Sequence, residues 1–371
     1  MFLIRNKMRE AFLILTSILL FANCRQDKTV VDKPNITTDT PLTVYNIDVP
    51  YRFSQPLLPA YNPLTVEGVE LGRKLFYDTI LSTNGRTCSF CHPQAKSFTT
   101  TYTDLGLDPA LYQQFGNIPM FCNEAWNPAY GWIGEFPDMD HIAVADLNGQ
   151  IFFNTNIPNL ITKLKASPYY SYMFRRVFPG QDIYQPGVIQ EKVAFALAQF
   201  VRTIVVNNSK FDKKIKGLAV LTQSEGRGYD IFMNDVQNGG ADCFHCHNYP
   251  LWTDNAFHNT GLDSTFVGIN RGRNNMTGLS KDMGLFRTPT LRNVSLTAPY
   301  MHDGRFKTLD EVIEQYNSGV HKSATLDPIM TLPGKEMGLG LSTMQKNDLK
   351  AFLLTLTDST ILTNPNYGRI K

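Results

Sequence analysis

Apolar residues recur at helical spacing in several stretches of the chain. The clearest stretch runs from Val188 to Val205, with apolar residues at positions 188, 193, 194, 197, 198, 201, 204 and 205. Residues at this spacing share one face of an α-helix, so the stretch predicts a helix whose apolar face is buried in a core. Val66 to Tyr77 predicts a second, amphipathic helix.

Two further helices are indicated by their capping residues. One starts in the segment 221–225, with Thr222 or Ser224 as its N-cap. The other starts at Thr308, where Glu311 completes a capping box, and ends at Gly319. Apolar positions in this helix share one face with Tyr316 at the spacing i, i+3, i+4 and i+7, so we expect Tyr316 to point inward.

The first 50 residues read as an export signal and a tether. Basic residues precede a short apolar run that ends near Cys24, which is typical of a signal peptide over residues 1–23. Cys24 stands where bacterial lipoproteins carry their acylated cysteine, so we expect a membrane lipid anchor, with a simple secreted protein as the alternative. Residues 24–50 are polar and predict a flexible tether. Either reading places the protein in the periplasm or cell envelope.

One pentapeptide pattern, C-x-x-C-H, occurs twice. The copies are Cys88-Ser89-Phe90-Cys91-His92 and Cys243-Phe244-His245-Cys246-His247. This is the attachment signature of c-type haem, because two thiols at this spacing can form thioethers while the adjacent imidazole reaches the iron. The sequence therefore predicts two covalent haems.

Two other uses of paired cysteines remain as alternatives. A zinc site would use paired cysteines that usually lie closer together along the chain, and it gives no reason for a histidine in both copies. A thioredoxin-like redox pair needs a βαβ context, which the sequence around the motifs does not predict.

The surroundings of the two motifs repeat the same plan. Each motif follows a helix and a turn of small residues, and a long loop follows each motif. We therefore predict a mainly α fold with two cytochrome c-like domains, at residues 51–215 and 216–371, joined around an interdomain site.

Composition adds limits but no partner. The chain has 371 residues, 43% of them hydrophobic and 18% charged, as in ordinary globular proteins. Its net charge is only +2 with dispersed basic residues, which predicts no nucleic-acid partner.

Several motifs together resemble one family. They are Leu71 to Asp78, the two haem motifs, Ser209 to Asp212, Arg287 to Asn293 and Leu296 to Gly304. Over roughly residues 50–358 the chain is similar to the bacterial dihaem cytochrome c peroxidases, a family that includes the MauG enzymes.

This resemblance implies roles for particular residues. His92 and His247 would be the proximal haem ligands, with hydrogen peroxide reacting at the first haem and electrons passing through the second. Trp132 would relay electrons between the haems, with a plain buried aromatic as the alternative reading. Asn117 and the carbonyls of Thr297 and Pro299 would bind a calcium ion, a hard cation that prefers oxygen.

The chain departs from the family pattern at the second haem. In the peroxidases of this family the distal ligand is a methionine at the position where this chain has Tyr316. MauG also has a tyrosine at this position. A phenolate oxygen stabilises ferric iron and lowers the reduction potential, whereas a thioether raises it. Met301, His302 and Met330 are the alternative distal ligands.

A second departure concerns proton transfer at the first haem. No histidine lies between His92 and His141, and the place of the family's catalytic glutamate, Phe152 to Asn156, holds no carboxylate. The first haem is therefore expected to have an open position, and the acid-base group must be another residue. The candidates are Glu135, Asp138, Asp140 and His141.

Three functions follow from these expectations. The first is a peroxidase that receives electrons from a small cytochrome c or a cupredoxin. The second is a MauG-like enzyme that oxidises a partner protein, which Tyr316 favours. The third is a dihaem electron-transfer cytochrome without peroxidase activity. Cys122 remains without a role, as a buried small side chain or a redox-active thiol.

Overall fold

The computed structural model describes residues 40–179, 182–335 and 338–370, and over these the fold is mainly helical. The predicted signal peptide, Cys24 and the tether up to residue 39 lie outside the described residues. Among the described residues, no helix is long and apolar enough to cross a membrane.

The described residues form twelve α-helices and one small antiparallel sheet. In chain order the helices are α1 (Val66–Phe76), α2 (Cys88–Cys91), α3 (Leu111–Phe115), α4 (Ile142–Asn148), α5 (Ile157–Ala166), α6 (Pro168–Val177), α7 (Val188–Arg202), α8 (Lys210–Ile215), α9 (Gln223–Met233), α10 (Asn274–Thr277), α11 (Leu309–Ser318) and α12 (Thr343–Leu354). The strands β1 (Phe257–His258) and β2 (Phe286–Arg287) pair with Phe257 opposite Arg287. Short 3-10 turns and loops connect these elements.

The predicted helices are confirmed, and their caps explain where they begin. Thr222 caps α9 in a capping box with Glu225, and Thr308 caps α11 in a capping box with Glu311. In each box the side chains satisfy backbone amides that the first helical turn leaves without partners.

Two groups of buried side chains form the core. The first cluster gathers buried residues of α1, α5, α6 and α7, and the second gathers those of α9, α11 and α12. Cys88 packs against the first cluster and Cys243 against the second. The division into domains at residue 215 stays a prediction.

A pair of crossing helices organises each cluster, and the two crossings match. A Cβ on Gly72 of α1 would lie 1.8 Å from the carbonyl oxygen of Ala196 in α7, and one on Gly228 of α9 would lie 1.9 Å from that of Asp348 in α12. Four residues beyond each carbonyl a phenylalanine, Phe200 or Phe352, packs beside the same glycine. Glycine therefore allows both helix pairs to touch at the backbone.

The end of the chain returns to the first cluster. Ile361 and Tyr367 are buried members of that cluster. The Tyr77 hydroxyl donates to the carbonyl oxygen of Tyr367 at 2.7 Å, and Arg73 Nε donates to that of Gly368 at 2.6 Å. Residues far apart in sequence thus stabilise the surroundings of the first motif.

Candidate functional site

The first motif is a short helix followed directly by its histidine. α2 carries Cys88 and Cys91, and the backbone amide of His92 donates to the Cys88 carbonyl at 2.9 Å. His92 Nδ1 lies 2.9 Å from the Phe98 carbonyl oxygen, and the imidazole stacks on Phe121. A donor hydrogen bond from Nδ1 fixes the ring and leaves Nε2 to bind a metal.

The second motif repeats this arrangement. The His247 amide donates to the Cys243 carbonyl at 3.0 Å, and His247 Nδ1 lies 3.1 Å from the Trp252 carbonyl oxygen. Burial lowers the pKa of His247, and it lowers the pKa of His92 to about 4. Both imidazoles are therefore neutral at physiological pH, the form that binds iron.

The four motif thiols are free and lie in two separate places. All four are free cysteines, and burial raises the pKa of Cys91 to about 11 and that of Cys243 to about 12. Among the described residues, no group of potential metal ligands combines thiols of both motifs. Two separate pairs of thiols, each beside a held histidine, suit two haem attachments better than one four-cysteine zinc site.

A cavity of about 300 Å³ lies beside the second motif, within the size range of cofactor pockets. Tyr316 lines it from α11, together with the apolar residues predicted to share its face, so the inward direction of this face is confirmed. Burial raises the pKa of Tyr316 to about 12, and a hydrogen bond with Thr260 acts in the opposite direction.

The three alternative distal ligands line the same cavity. Met301, His302 and Met330 all contribute to its wall. The Nε2 atom of His302 already has a hydrogen-bond partner, because it lies 2.8 Å from Asn270 Oδ1. The His302 ring stacks on Phe286 with ring centroids 3.6 Å apart. Which of these side chains binds iron stays a prediction.

Trp132 also lines this cavity and is firmly held. Its Nε1 donates to the Asn117 carbonyl at 2.8 Å, and its own carbonyl accepts from the Arg287 amide at 2.8 Å. The indole lies close to Gly116, where a Cβ would come within 3.2 Å of its Cδ1. The backbone thus fixes the ring in position.

The three residues predicted to bind calcium lie around the same part of the cavity. Asn117 Nδ2 donates to the Pro299 carbonyl at 2.6 Å, and Thr297 lines the cavity nearby. A cation would need the amide oxygen of Asn117 turned toward this carbonyl in place of the nitrogen. The oxygen donors fit a calcium ion in type, and the site itself stays a prediction.

The four predicted acid-base candidates form hydrogen bonds and ion pairs with other protein groups. Asp140 is fully buried in an ion pair with Arg202. His141 Nδ1 pairs with Asp138 at 2.6 Å on the surface, and exposed Glu135 accepts from the Ile133 amide at 3.1 Å. All four side chains are therefore engaged with other protein groups.

One carboxyl near the first motif was missed by the sequence analysis. Burial raises the pKa of the Cys88 and Cys91 thiols, and the negative charge of Asp146 in α4 raises both pKa values further. Its signal was available, since Met139, Ile142 and Asp146 follow the spacing i, i+3, i+7, which puts a carboxylate among core-facing positions.

Comparisons with known proteins show which family the chain is similar to. The family model described as di-haem cytochrome c peroxidase matches residues 66–219. Methylamine utilization protein MauG of Methylophilus methylotrophus is 31% identical over 85% of this chain and 91% of that protein. Cytochrome c551 peroxidase of Nitrosomonas europaea is 32% identical over 70% of this chain and 76% of that protein.

A solved structure is similar over nearly its full length. It is a crystal structure of a MauG-like protein associated with microbial copper homeostasis, with a TM-score of 0.76 and 30% identity. The similarity covers 88% of this chain and 99% of that chain.

Proposed function

Because the chain belongs to the dihaem cytochrome c peroxidase and MauG family, we propose that it reduces hydrogen peroxide at a haem on its first motif. The second motif would hold a second haem, and a small cytochrome c or cupredoxin would supply the electrons through it. The observation that carries this proposal is the repeated motif geometry, with each histidine held by a backbone carbonyl at 2.9 or 3.1 Å.

The protein residues have separable roles in this reaction. Thioethers from Cys88, Cys91, Cys243 and Cys246 would hold the two haems, and His92 and His247 would be their proximal ligands. Bound haem supplies the redox chemistry for the two-electron reduction of peroxide to water. The protein supplies binding, orientation and protons.

Trp132 would carry electrons between the two motifs. The indole is fixed at its nitrogen and at its backbone carbonyl, so its ring keeps one position relative to the cavity beside the second motif. A fixed aromatic ring suits a relay, because a redox step then needs little rearrangement of the protein.

A calcium ion bound by Asn117, Thr297 and Pro299 would stabilise the same region. The contact between the Asn117 amide and the Pro299 carbonyl, 2.6 Å, joins segments that are 182 residues apart. A cation there would connect the loop before Trp132 to the loop that lines the cavity beside the second motif.

A second candidate function is oxidation of a partner protein. Tyr316 favours it, because a phenolate on the second haem would stabilise the oxidised centre where the peroxidases use a thioether. In this reading the oxidising equivalents from peroxide go to a side chain of the partner. Relatives named MauG are consistent with either reading.

We also propose that the protein is exported to the periplasm or cell envelope. Covalent attachment of c-type haem outside the cytoplasm is consistent with the signal-like residues 1–23. Acylation of Cys24 would anchor the mature chain to a membrane.

The test is the optical and electron paramagnetic resonance spectrum of the oxidised holoprotein before and after one equivalent of peroxide. Tyr316→Met and Tyr316→Phe are measured beside the wild type. A high-spin ferric haem that reacts without prior reduction, and loses a long-lived oxidised state in both variants, supports partner-protein oxidation.

The other outcomes separate the remaining readings. Two low-spin haems that react only after half-reduction, with Tyr316→Phe unchanged, identify an ordinary peroxidase and remove Tyr316 from the mechanism. A protein that does not react with peroxide in any redox state contradicts enzymatic function and leaves electron transfer.

A further inference from the structure

A buried hydrogen bond joins the loop that follows the first motif to a segment that packs against the second motif. Asn293 Nδ2 donates to Ser97 Oγ at 3.0 Å, across 196 positions of the sequence. Both residues are completely buried, with 0% of their surface exposed. Because water cannot replace either partner, loss of this bond would leave a buried polar group unsatisfied.

The neighbouring groups determine which atom of this bond donates. Asn293 Oδ1 accepts from the Asp358 amide at 2.6 Å, so the amide nitrogen of Asn293 faces Ser97. The Ser97 hydroxyl donates its own hydrogen to Met120 Sδ at 3.3 Å, which leaves the hydroxyl oxygen as the acceptor. The bond therefore has one direction and one geometry.

On the side of the first motif, the bond reaches the residue next to the carbonyl that holds His92. Ser97 directly precedes Phe98, whose carbonyl oxygen lies 2.9 Å from His92 Nδ1. This loop is tightly turned, because the Ser97 amide donates to the Gln94 carbonyl at 3.0 Å and the Phe98 amide donates to the Pro93 carbonyl at 3.1 Å. A displacement of Ser97 therefore also displaces the carbonyl that orients the imidazole.

On the side of the second motif, the three residues before Asn293 bind three consecutive carbonyls of the loop that holds His247. Thr290 Oγ1 donates to the Leu251 carbonyl at 2.6 Å, the Leu291 amide to that of Trp252 at 3.2 Å, and Arg292 Nε to that of Pro250 at 3.0 Å. The Trp252 carbonyl is shared, because its oxygen also lies 3.1 Å from His247 Nδ1. A change at His247 therefore acts directly on Leu291, two residues before Asn293.

The two histidines are thus joined by hydrogen bonds and short stretches of backbone. The hydrogen bonds of this path are His92 to Phe98, Ser97 to Asn293, Leu291 to Trp252, and Trp252 to His247. An imidazole that binds ferric iron is more positive than one that binds ferrous iron, so its Nδ1–H is the stronger donor. The strength of the bond between His247 and the Trp252 carbonyl therefore depends on the oxidation state of the second haem.

We propose that Ser97 and Asn293 are positioning residues that couple the two proximal histidines, a role that rests on the two haems of the proposed function. One electron from the donor protein reduces the second haem from ferric to ferrous, and its histidine then binds the Trp252 carbonyl less strongly. The connected segments shift the Phe98 carbonyl relative to His92, and this changes the affinity of the first haem for its own electron. The coupling is reciprocal, because a coupling free energy acts equally on both sites.

This path is separate from the electron relay proposed for Trp132. The indole nitrogen and the backbone carbonyl of Trp132 bind Asn117 and Arg287, whereas the Asn293 side chain binds Ser97. The relay would carry the electron itself, and the path through Ser97 would only adjust the carbonyls that hold the histidines. A substitution at Ser97 therefore tests the coupling without removing a contact of the relay.

The test is a redox titration of the full-length holoprotein, followed by the optical and electron paramagnetic resonance spectra of both haems. Ser97→Ala removes the hydroxyl, and Ser97→Gly removes it without backbone strain, because Ser97 has a left-handed φ of 58°. Thr99→Val is the matched control, since Thr99 lies in the same loop and donates its buried hydroxyl to the Ile118 carbonyl at 2.6 Å. In the wild type, reduction of the second haem should change the equilibrium constant for reducing the first haem about 5-fold or more, the usual range of coupling between two sites.

Both Ser97 variants should lose most of this coupling. The spectra of the two ferric haems should stay as in the wild type, because the carbonyls that hold the histidines remain in place. Thr99→Val should keep the wild-type coupling, although denaturant unfolding should show a comparable loss of stability. Asn293→Gly should also lose the coupling, and adding Ser97→Gly to it should have no further effect, because both substitutions remove the same bond.

Two results would overturn the proposal. Wild-type coupling in Ser97→Gly would leave direct electrostatic interaction between the haems as its source, and an equal loss in Thr99→Val would make the effect a general loosening of the loop. A wild type that shows the Ser97-dependent coupling but does not reduce peroxide would contradict the proposed function and support the coupling. A wild type that reduces peroxide with uncoupled haems would do the reverse. If Ser97→Ala does not fold, Ser97→Gly decides.

Discussion

The position of Trp132 depends on a single residue without a side chain. Gly116 has a φ of 76°, in the left-handed region, and a Cβ there would lie 2.8 Å from the His302 carbonyl oxygen and 3.2 Å from Trp132 Cδ1. The carbonyl belongs to the backbone and cannot give way easily. Glycine therefore lets the loop that holds the indole contact the loop that lines the cavity beside the second motif.

Gly116→Ala should displace Trp132 and destabilise the fold. Part of the cost is the left-handed φ, roughly 1–2 kcal/mol, and the rest is crowding. Gly85→Ala is the matched control, because Gly85 has a φ of 78° and open space around it. Thermal unfolding should show a larger loss for Gly116→Ala, and electron exchange between the haems should slow only in this variant. Equal losses of thermal stability in the two variants would show that crowding against Trp132 does not contribute to the effect.

A buried ion pair beneath the second motif predicts a pH-dependent effect. Arg292 is fully buried and donates to Asp212 at 2.9 and 3.1 Å. Burial alone would raise the pKa of Asp212, but Arg292 and Ser209 outweigh it and hold the pKa below its usual value. The pair therefore contributes stability above the unfolded pKa of about 4, and this contribution is lost as pH falls through the lower folded pKa.

Arg292→Met should destabilise the protein by about 3–5 kcal/mol at pH 7, because it leaves a buried carboxylate without its partner. The loss should shrink at pH 4, since the isolated carboxyl can then bind a proton. Arg227→Met is the control, because Arg227 binds Asp348 in the same two-point manner but is half exposed. Denaturant unfolding at both pH values measures the difference, and a pH-independent loss would contradict the explanation.

Residue-level prediction succeeded where the information was local. The inward direction of Tyr316 follows from its spacing within one capped helix, and the structure confirms that direction. Asp140 could not be excluded from the sequence, because its partner Arg202 is 62 residues away. The spacing of Asp146 with Met139 and Ile142 indicates a core-facing carboxyl, but the sequence does not show that α4 lies near the first motif, because that depends on contacts between the turn after α4 and residues 81–84.

Helix starts were predictable and one helix end was not. The capping boxes of α9 and α11 involve residues three apart, so the sequence shows them directly. The apolar spacing continues to Val205, yet α7 ends at Arg202. The cause is a residue far away in the sequence. The Asn123 amide donates to the Ile204 carbonyl, and the Val206 amide donates to Asn123 Oδ1. Backbone groups used in this way cannot continue the helix.

The matching glycines at the two helix crossings predict matching sensitivity. Gly228→Ala should separate α9 from α12, because the new methyl would meet the Asp348 backbone and the Cβ of Phe352. We expect a loss of at least about 1–3 kcal/mol, typical of overpacking. Gly226→Ala in the same helix meets no atom within 4 Å and should be neutral or stabilising by about 0.5–1 kcal/mol.

The free energy of unfolding from urea titrations tests this pair. The same substitution at Gly72 should reproduce the loss in the first cluster, since the backbone of α7 lies equally close. A Gly228→Ala protein as stable as Gly226→Ala would refute the close-contact explanation.

At the scale of the whole molecule, the chain end supports the histidine of the first motif. The ring of Tyr367 contacts Phe98, whose carbonyl orients His92, with ring centroids 6.3 Å apart. The Tyr367 hydroxyl also accepts from the Val205 amide at 3.2 Å. The sequence offered no sign of this contact, because the end of the chain was assigned to the second domain and its partners lie more than 160 residues away.

Tyr367→Ala should therefore perturb the first haem and spare the second. Removing a buried aromatic side chain costs about 3–5 kcal/mol, and the space left beside Phe98 should loosen the carbonyl that holds His92. Tyr229→Ala is the mirror control, because Tyr229 packs against Phe211 in the second cluster with ring centroids 5.3 Å apart. The two haems give separate spectroscopic signals. The signal of the first haem should change in Tyr367→Ala, and that of the second haem should change in Tyr229→Ala. If both variants disturbed the same haem, the explanation that each buried cluster holds the histidine of its own motif would be refuted.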